Sequence, residues 1–202
     1  MSNFSIQNDY DFLVTDIGHI LERKPNPQWH IENLVNSENY ILAYAINGEA
    51  LYSFNGEEYK VRKGDAIFFP KGFVHSASSC PNNPWFFYSV SFNLKFGNDT
   101  SFERFNMLKN YVSSPNLYKM PALLSELNYV WTGKRTGYLI RCRSLIMEML
   151  YLVIKETESA SFSTLHFTSI ERILNMIHAN YKNSYSIEDL AKLSGLSTSH
   201  FR

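Results

Sequence analysis

Gly64-Asp65-Ala66-Ile67-Phe68-Phe69-Pro70-Lys71-Gly72-Phe73-Val74-His75 is the stretch on which the fold turns. Lys63-Gly64-Asp65 reads as a turn and Ala66 to Phe69 as a strand. Pro70-Lys71-Gly72 breaks the strand, the proline presetting its φ and the glycine free to take a positive one. A histidine, His75, follows just past this second turn.

Working outward, more short strands appear. Tyr40 to Ile46 is β-rich and stops at Asn47-Gly48, and Leu51 to Phe54 stops at Asn55-Gly56. Both dipeptides supply the positive φ values of a tight hairpin. Glu58 to Val61 and an aromatic strand, Trp85 to Phe92, complete a series that ends at Gly97-Asn98-Asp99. Short strands at near-regular spacing predict an antiparallel sandwich or small barrel. Of the 202 residues 45% are hydrophobic and 19% charged, which excludes a disordered chain. The aromatic share of 15% suits thick β-structure or an aromatic-lined cavity. Cys80 and Cys142 lie far apart, unlike a disulfide framework. No signal peptide opens the sequence, and Ser144 to Ile154, which contains Glu148, falls short of the roughly 20 apolar residues of a membrane helix. A soluble, cytoplasmic protein with no membrane association is expected. The 19 basic and 19 acidic side chains cancel, so charge alone does not announce nucleic acid.

After about residue 100 the period becomes helical. Pro121 to Trp131 predicts one helix and Tyr138 to Lys155 a second. On the second, Leu139, Cys142, Ile146, Met149 and Val153 make a heptad-like seam, with Leu145 and Leu152 in an adjoining stripe. Core packing explains the seam, and the second stripe is a candidate homodimer contact. Ser159 to Ser163 reads as a small-residue linker, followed by a helix from Thr168 to about Asn180. The expected domains are 1–100, a β-barrel with an N-terminal arm; 101–160, a helical dimerisation region; and 161–202, an all-α segment.

The last seventeen residues carry the most specific pattern. Ser186-Ile187-Glu188-Asp189 offers an N-cap hydroxyl with an acidic residue three positions on, close to a capping box. Leu190 and Leu193 supply a buried face, Ala191 is small where a second helix must approach, and Gly195 permits the turn. Leu196 plugs that turn, Ser197 caps the next helix and Phe201 anchors it. This is the spacing of a helix-turn-helix, whose second helix enters the DNA major groove. Thr198, Ser199 and Arg202 would face the groove.

With Ile173, Ile177 and Tyr181, this string resembles the DNA-binding domain of the AraC/XylS family of bacterial transcription activators. The resemblance implies further residues after Arg202, carrying a second helix-turn-helix, so the chain is expected to be truncated and to bind operator DNA only at full length. Upstream, Gly64, Pro70, Gly72 and His75 match the second sequence motif of cupins, except that Ser79 stands where the motif has Asn. A cupin-like (double-stranded β-helix) barrel, a helical dimerisation region and a truncated helix-turn-helix segment make an α+β chain in the domain order of sugar-responsive AraC-type regulators.

That order implies a small-molecule effector, a sugar, inside the barrel, and a homodimer. Effector binding is expected to shift the Met1–Asp16 arm, the dimer helices and the DNA-binding segment between arrangements. Alternation along Trp85–Phe92 puts Trp85, Phe87, Ser89 and Ser91 on one face, and the two serines suit a wet cavity, so that face is expected to be lumenal. Trp29, His30, Tyr44 and His75 are further ligand-binding candidates. The alternative is a stand-alone cupin, sugar-binding or isomerase-like. Many cupins are metalloenzymes, but the hairpin Tyr40 to Glu57 contains no histidine, and His75 with the scattered His19 and His30 shows no metal-ligand spacing. No metal, cofactor or catalytic residue is predicted.

Overall fold

The computed structural model describes residues 9–161, 173, 176–177, 185–194 and 197–201. Nine strands are described: β1 (Phe12–Arg23), β2 (His30–Asn36), β3 (Tyr40–Asn47), β4 (Glu49–Phe54), β5 (Glu57–Arg62), β6 (Asp65–Phe69), β7 (Phe73–Ser79), β8 (Phe86–Phe96) and β9 (Tyr111–Ser113). They form a five-stranded sheet ordered β1-β8-β3-β6-β9 and a four-stranded sheet ordered β2-β7-β4-β5, all neighbours antiparallel. The two sheets face each other as an antiparallel cupin-like barrel.

Local chemistry sets the turns. Asn55 and Gly56 both take positive φ, 54° and 78°, as a two-residue hairpin between β4 and β5 requires. Gly48, at φ 77°, turns β3 into β4 where a Cβ would collide with the Pro84 carbonyl. The backbone there is tied by Glu49 N–H donating to the Asn83 carbonyl at 2.9 Å.

A layer of helices covers the outer face of the five-stranded sheet: α1 (Asp99–Asn106), a 3-10 turn (Pro115–Lys119), α2 (Met120–Gly133) and α3 (Tyr138–Ser161). The Asn98 side chain caps α1 by accepting from Ser101 N–H at 2.8 Å. Tyr40, Leu42, Phe68, Val90 and Phe92 pack outward against Phe105, Leu124, Ile146 and Met149. A second core lies between the sheets, built from Tyr52, Phe54, Val61, Phe69, Trp85 and Phe87. Strands β3, β6 and β8 are thus buried on both faces. No helix among the described residues is long and apolar enough to cross a membrane, which says nothing of spanning by strands.

Several expectations are corrected. Phe12–Asp16, expected as part of the N-terminal Met1–Asp16 arm, belongs to β1 and pairs along β8, with Phe12 and Val14 buried; residues 1–8 lie outside the described ones. The barrel does not end at residue 100, because β9 adds to β6. Leu145, expected on a dimer stripe, is 0% exposed in the core under the sheet. The helix rotates by about 100° per residue, which carries Leu145 inward beside Ile146 and Met149. Helix α3 also continues through Ser159–Ser161, where a linker was expected; helix propensity of Glu156, Glu158 and Ala160 sustains it.

The chain divides into two compact units, Met1–Thr157 and Glu158–Arg202. The second contains α4 (Ile187–Ser194) and α5 (Thr198–Phe201). The Ser186 hydroxyl accepts from Asp189 N–H at 3.0 Å and donates to the Asp189 carboxylate at 2.6 Å, so the predicted cap forms in a variant pairing. Ala191 is buried, whereas Leu193, expected inward, is 49% exposed. The two positions lie about 200° apart on the helix, so a face centred on Ala191 turns Leu193 out. Thr198 and Ser199 are exposed. Ile170, Leu174, Tyr181, Gly195, Leu196 and Arg202 lie outside the described residues.

Candidate functional site

Strand alternation divides the candidates between two faces of one sheet. In β8, Phe87, Ser89, Ser91 and Asn93 point between the sheets, and Tyr88, Val90 and Phe92 point to the helices. Ala45, Ala43 and Ile41 of β3 stand opposite Phe87, Ser89 and Ser91, and Leu21 and His19 of β1 flank them on the other side. At Gly18, beside a break in the β1–β8 register, a Cβ would lie 2.7 Å from the Ser91 hydroxyl. Small side chains line these inner positions, and Gly18 allows the buried Ser91 hydroxyl to pack against its backbone.

This floor is polar. His19 Nε2 lies 3.2 Å from the Ser89 hydroxyl. Asn93 Nδ2 donates to Asn39 Oδ1 at 2.7 Å, leaving the Asn93 carbonyl oxygen buried without a partner. Burial, and then the charge of Arg23, holds the His19 imidazole below its ordinary pKa. Beside the floor rises an aromatic wall. Trp85 stacks on Phe87 with centroids 3.7 Å apart, and Trp29 leans on both at 5.3 and 5.4 Å. Tyr52 meets Trp85 edge-on at 5.2 Å and also lies parallel to His75.

His75 is 5% exposed and burial lowers its pKa to about 4, with the Phe73 backbone pulling weakly the other way. Its Nδ1 and the Trp85 indole N–H are buried without hydrogen-bond partners, both on inward-facing residues. Such orphaned groups are uncommon in native interiors. Ser79, the departure from the cupin motif, accepts from Trp85 N–H at 2.9 Å and so fixes the approach to β8.

The structure therefore brings Trp29, His75, Trp85, Phe87 and Ser89 to the inner surface of the barrel. It does not bring His30 or Tyr44. His30 is exposed, paired across from Ser78 on the outer face of the four-stranded sheet. Tyr44 points to the helix layer, where its hydroxyl donates to the Leu117 carbonyl at 3.5 Å. Trp85 is also not open to a cavity as expected: at 2% exposure it is packed in the aromatic wall, because Trp29 covers it. Among the described residues no three His, Cys, Asp or Glu side chains converge to hold a metal.

A family model described as the AraC-like ligand binding domain matches residues 17–127, more than half of the chain and most of the barrel with the first helices. The chain belongs to that family. Two curated relatives of this AraC-like domain are an uncharacterized HTH-type transcriptional regulator of Bacillus subtilis, 25% identical over 183 residues, and the lactose operon transcription activator of Staphylococcus xylosus, 23% identical over 175. The matches cover 76% and 79% of the chain but 58% and 59% of those proteins, so it spans about three fifths of their length. Among solved structures, a predicted oxalate decarboxylase from Thermotoga maritima matches 36% of the chain and 62% of its own at 20% identity, with a TM-score of 0.31.

Sequence reasoning missed His19, Asn39 and Asn93 in this AraC-like domain. The β1 strand escaped notice because Asp16 and Gly18 interrupt it and its register shifts twice between Val14 and His19. The signal present was the Ser89/Ser91/Asn93 alternation, which asks for polar partners across the neighbouring strands.

Proposed function

We propose that this chain is the effector-sensing portion of a transcription regulator, and that its barrel binds a neutral sugar on the floor formed by His19, Ser89, Ser91 and Asn93. One observation carries this: a polar floor of small side chains stands beside an aromatic wall in a domain of the AraC-like ligand-binding family. Sugars are recognised by such a combination, an apolar face for the ring and a few fixed polar groups for its hydroxyls. Trp29, Phe87 and Trp85 form the wall, and neutral His75 offers a ring nitrogen.

In this reading α4 and α5 belong to a helix-turn-helix that contacts operator DNA through Thr198, Ser199 and Arg202 in the full-length protein, which works in the cytoplasm as a sensor and not as a catalyst. The domains are the barrel with its helical cover, a helical dimerisation surface on α3, and a DNA-binding segment from about residue 161. With Leu145 buried, the homodimer contact moves to the outward stripe of α3, where Ile140 is 74% and Tyr151 59% exposed and Met147 lies between them. Effector binding then biases the equilibrium between DNA-binding arrangements, a coupling of about 1–3 kcal/mol in typical systems.

The test is a thermal-shift screen of neutral mono- and disaccharides, lactose first because one relative is a lactose operon activator. At least one sugar is expected to raise the melting temperature, and Ser89→Leu, which fills the floor, to abolish the rise. If no sugar stabilises the wild-type chain, or if Ser89→Leu responds like wild type, the site is not this floor. On the full-length protein the same sugar must change operator affinity.

A further inference from the structure

The four-stranded sheet contains a notch. Strands β4 and β7 pair from Ala50↔Ser79 to Ser53↔Ser76 and then part. Beyond that point β4 continues against β5 to Phe54↔Glu57, and β7 continues against β2 through Leu34↔His75 to Asn36↔Phe73. No ladder joins Phe54–Asn55 to Gly72–His75. Where the strands diverge the wall opens into a groove of about 460 Å³, well within the size of small-molecule sites.

Its lining is specific in kind. Asn33, Ser53, Asn55 and Ser76 supply amides and hydroxyls, Phe54, Phe73 and Val74 supply apolar surface, His75 borders the groove as well, and no Asp, Glu, Lys or Arg takes part. A register break between Ile31 and Leu34 places Asn33 at the groove, with φ 44° and its N–H donating to the Ser76 hydroxyl at 3.0 Å. The end of the groove at Gly72 is held rigid. Buried Asn36 donates to the Pro70 carbonyl at 3.3 Å, and Gly72 N–H donates to the Asn36 carbonyl at 2.7 Å. The side chains of Asn33, Ser53 and Asn55 make no hydrogen bond among those described, so their donors and acceptors are free for a ligand.

An aromatic layer, of which Phe73 and His75 also line the groove, lies between it and the floor described above. Phe69 packs against Phe54, Phe73 and His75 at 5.6, 5.0 and 4.0 Å, and Tyr52 stands behind them. The groove shares His75 with the barrel interior but none of the floor residues His19, Ser89, Ser91 and Asn93.

We propose that the notch between β4 and β7 is a second binding site, for an uncharged polyhydroxylated ligand of mono- or disaccharide size. The amides and hydroxyls match such a ligand's hydroxyls, Phe54 and Val74 its apolar face, and an uncharged lining has nothing to neutralise a carboxylate or phosphate.

Isotope-labelled 202-residue chain tests this by NMR, reading the amide signals of Asn55 and Gly72. The probes are glucose, galactose, maltose, cellobiose and lactose, with gluconate and glucose 6-phosphate as charged counterparts. At least one neutral sugar should move both signals along a saturable curve, with the charged counterparts far weaker. Ser53→Trp, or Val74→Trp should the first variant misfold, should weaken the response roughly tenfold or more by filling the groove. Ser89→Leu, on the barrel floor, should leave it intact. The proposal is overturned if no neutral sugar moves the signals, if the charged sugars act equally, or if obstruction leaves the response unchanged. It is equally overturned if Ser89→Leu removes the response, because the shifts then arise from the floor site.

Discussion

His75 lies nearly flat on Phe69, with ring centroids 4.0 Å apart and planes 27° from parallel. An imidazolium there would sit desolvated in an aromatic layer, and burial accordingly lowers its pKa to about 4. The unfolded chain carries a proton on this ring below about pH 6.5, and the folded chain does not until about pH 4. Stability therefore rises with pH across that window. The contribution is complete above about pH 6.5 and falls away as the pH drops, by up to about 3 kcal/mol. His19 is shifted in the same direction. Denaturant midpoints should fall between about pH 7 and pH 4.5, and His75→Phe should flatten that fall. An identical slope in the variant would remove His75 as its source.

Leu145 and Ile140 offer a paired test of which face of α3 does what. Leu145 is fully buried under the sheet, so Leu145→Ala should cost about 2–5 kcal/mol in urea unfolding. Ile140→Glu should cost less than about 1 kcal/mol, because the side chain is largely exposed. In sedimentation Ile140→Glu is expected to convert dimer to monomer. A monomeric wild type would reject the outward stripe as a contact.

Two glycines in hairpins should respond differently to alanine. Gly56→Ala meets nothing within 4 Å and suffers only the positive φ, about 1 kcal/mol. Gly48→Ala adds a collision with the Pro84 carbonyl and should cost on the order of 2–3 kcal/mol or more. Equal melting temperatures for the two variants would contradict the close approach at Gly48.

The cap on α4 has a local readout. Ser186→Ala removes the acceptor of Asp189 N–H, worth about 1 kcal/mol. Hydrogen exchange at that amide should quicken roughly fivefold while amides of β3 and β8 stay unchanged. Protection that survives the substitution would assign the amide another partner.

Turn chemistry made the central strands legible: Asn47-Gly48, Asn55-Gly56 and Pro70-Lys71-Gly72 bound β3 to β6 within a residue or two. Strands without such punctuation escaped. Phe73–Ser79 holds five small or polar residues in a row, and Tyr111–Ser113 is three residues long, so neither has the periodicity that marks a strand. Tyr40 to Ile46 was legible as a strand, but alternation carries no information on which side of a sheet faces the barrel. Only the helix layer decides that, and it put Tyr44 on the wrong side for a ligand. For β8 the serines broke the symmetry. The polar floor stayed half hidden because Asn39 lies just before β3 and His19 on a strand whose register breaks.

Ser89 and Val90 are neighbours in β8, yet one meets His19 inside the barrel and the other lies in the core beneath the helices. The central sheet is thus a drumskin a single backbone thick, polar on one side and clamped on the other. A guest pressing on the Ser89 side would be felt at Val90 directly, with no chain of intermediaries to carry the push.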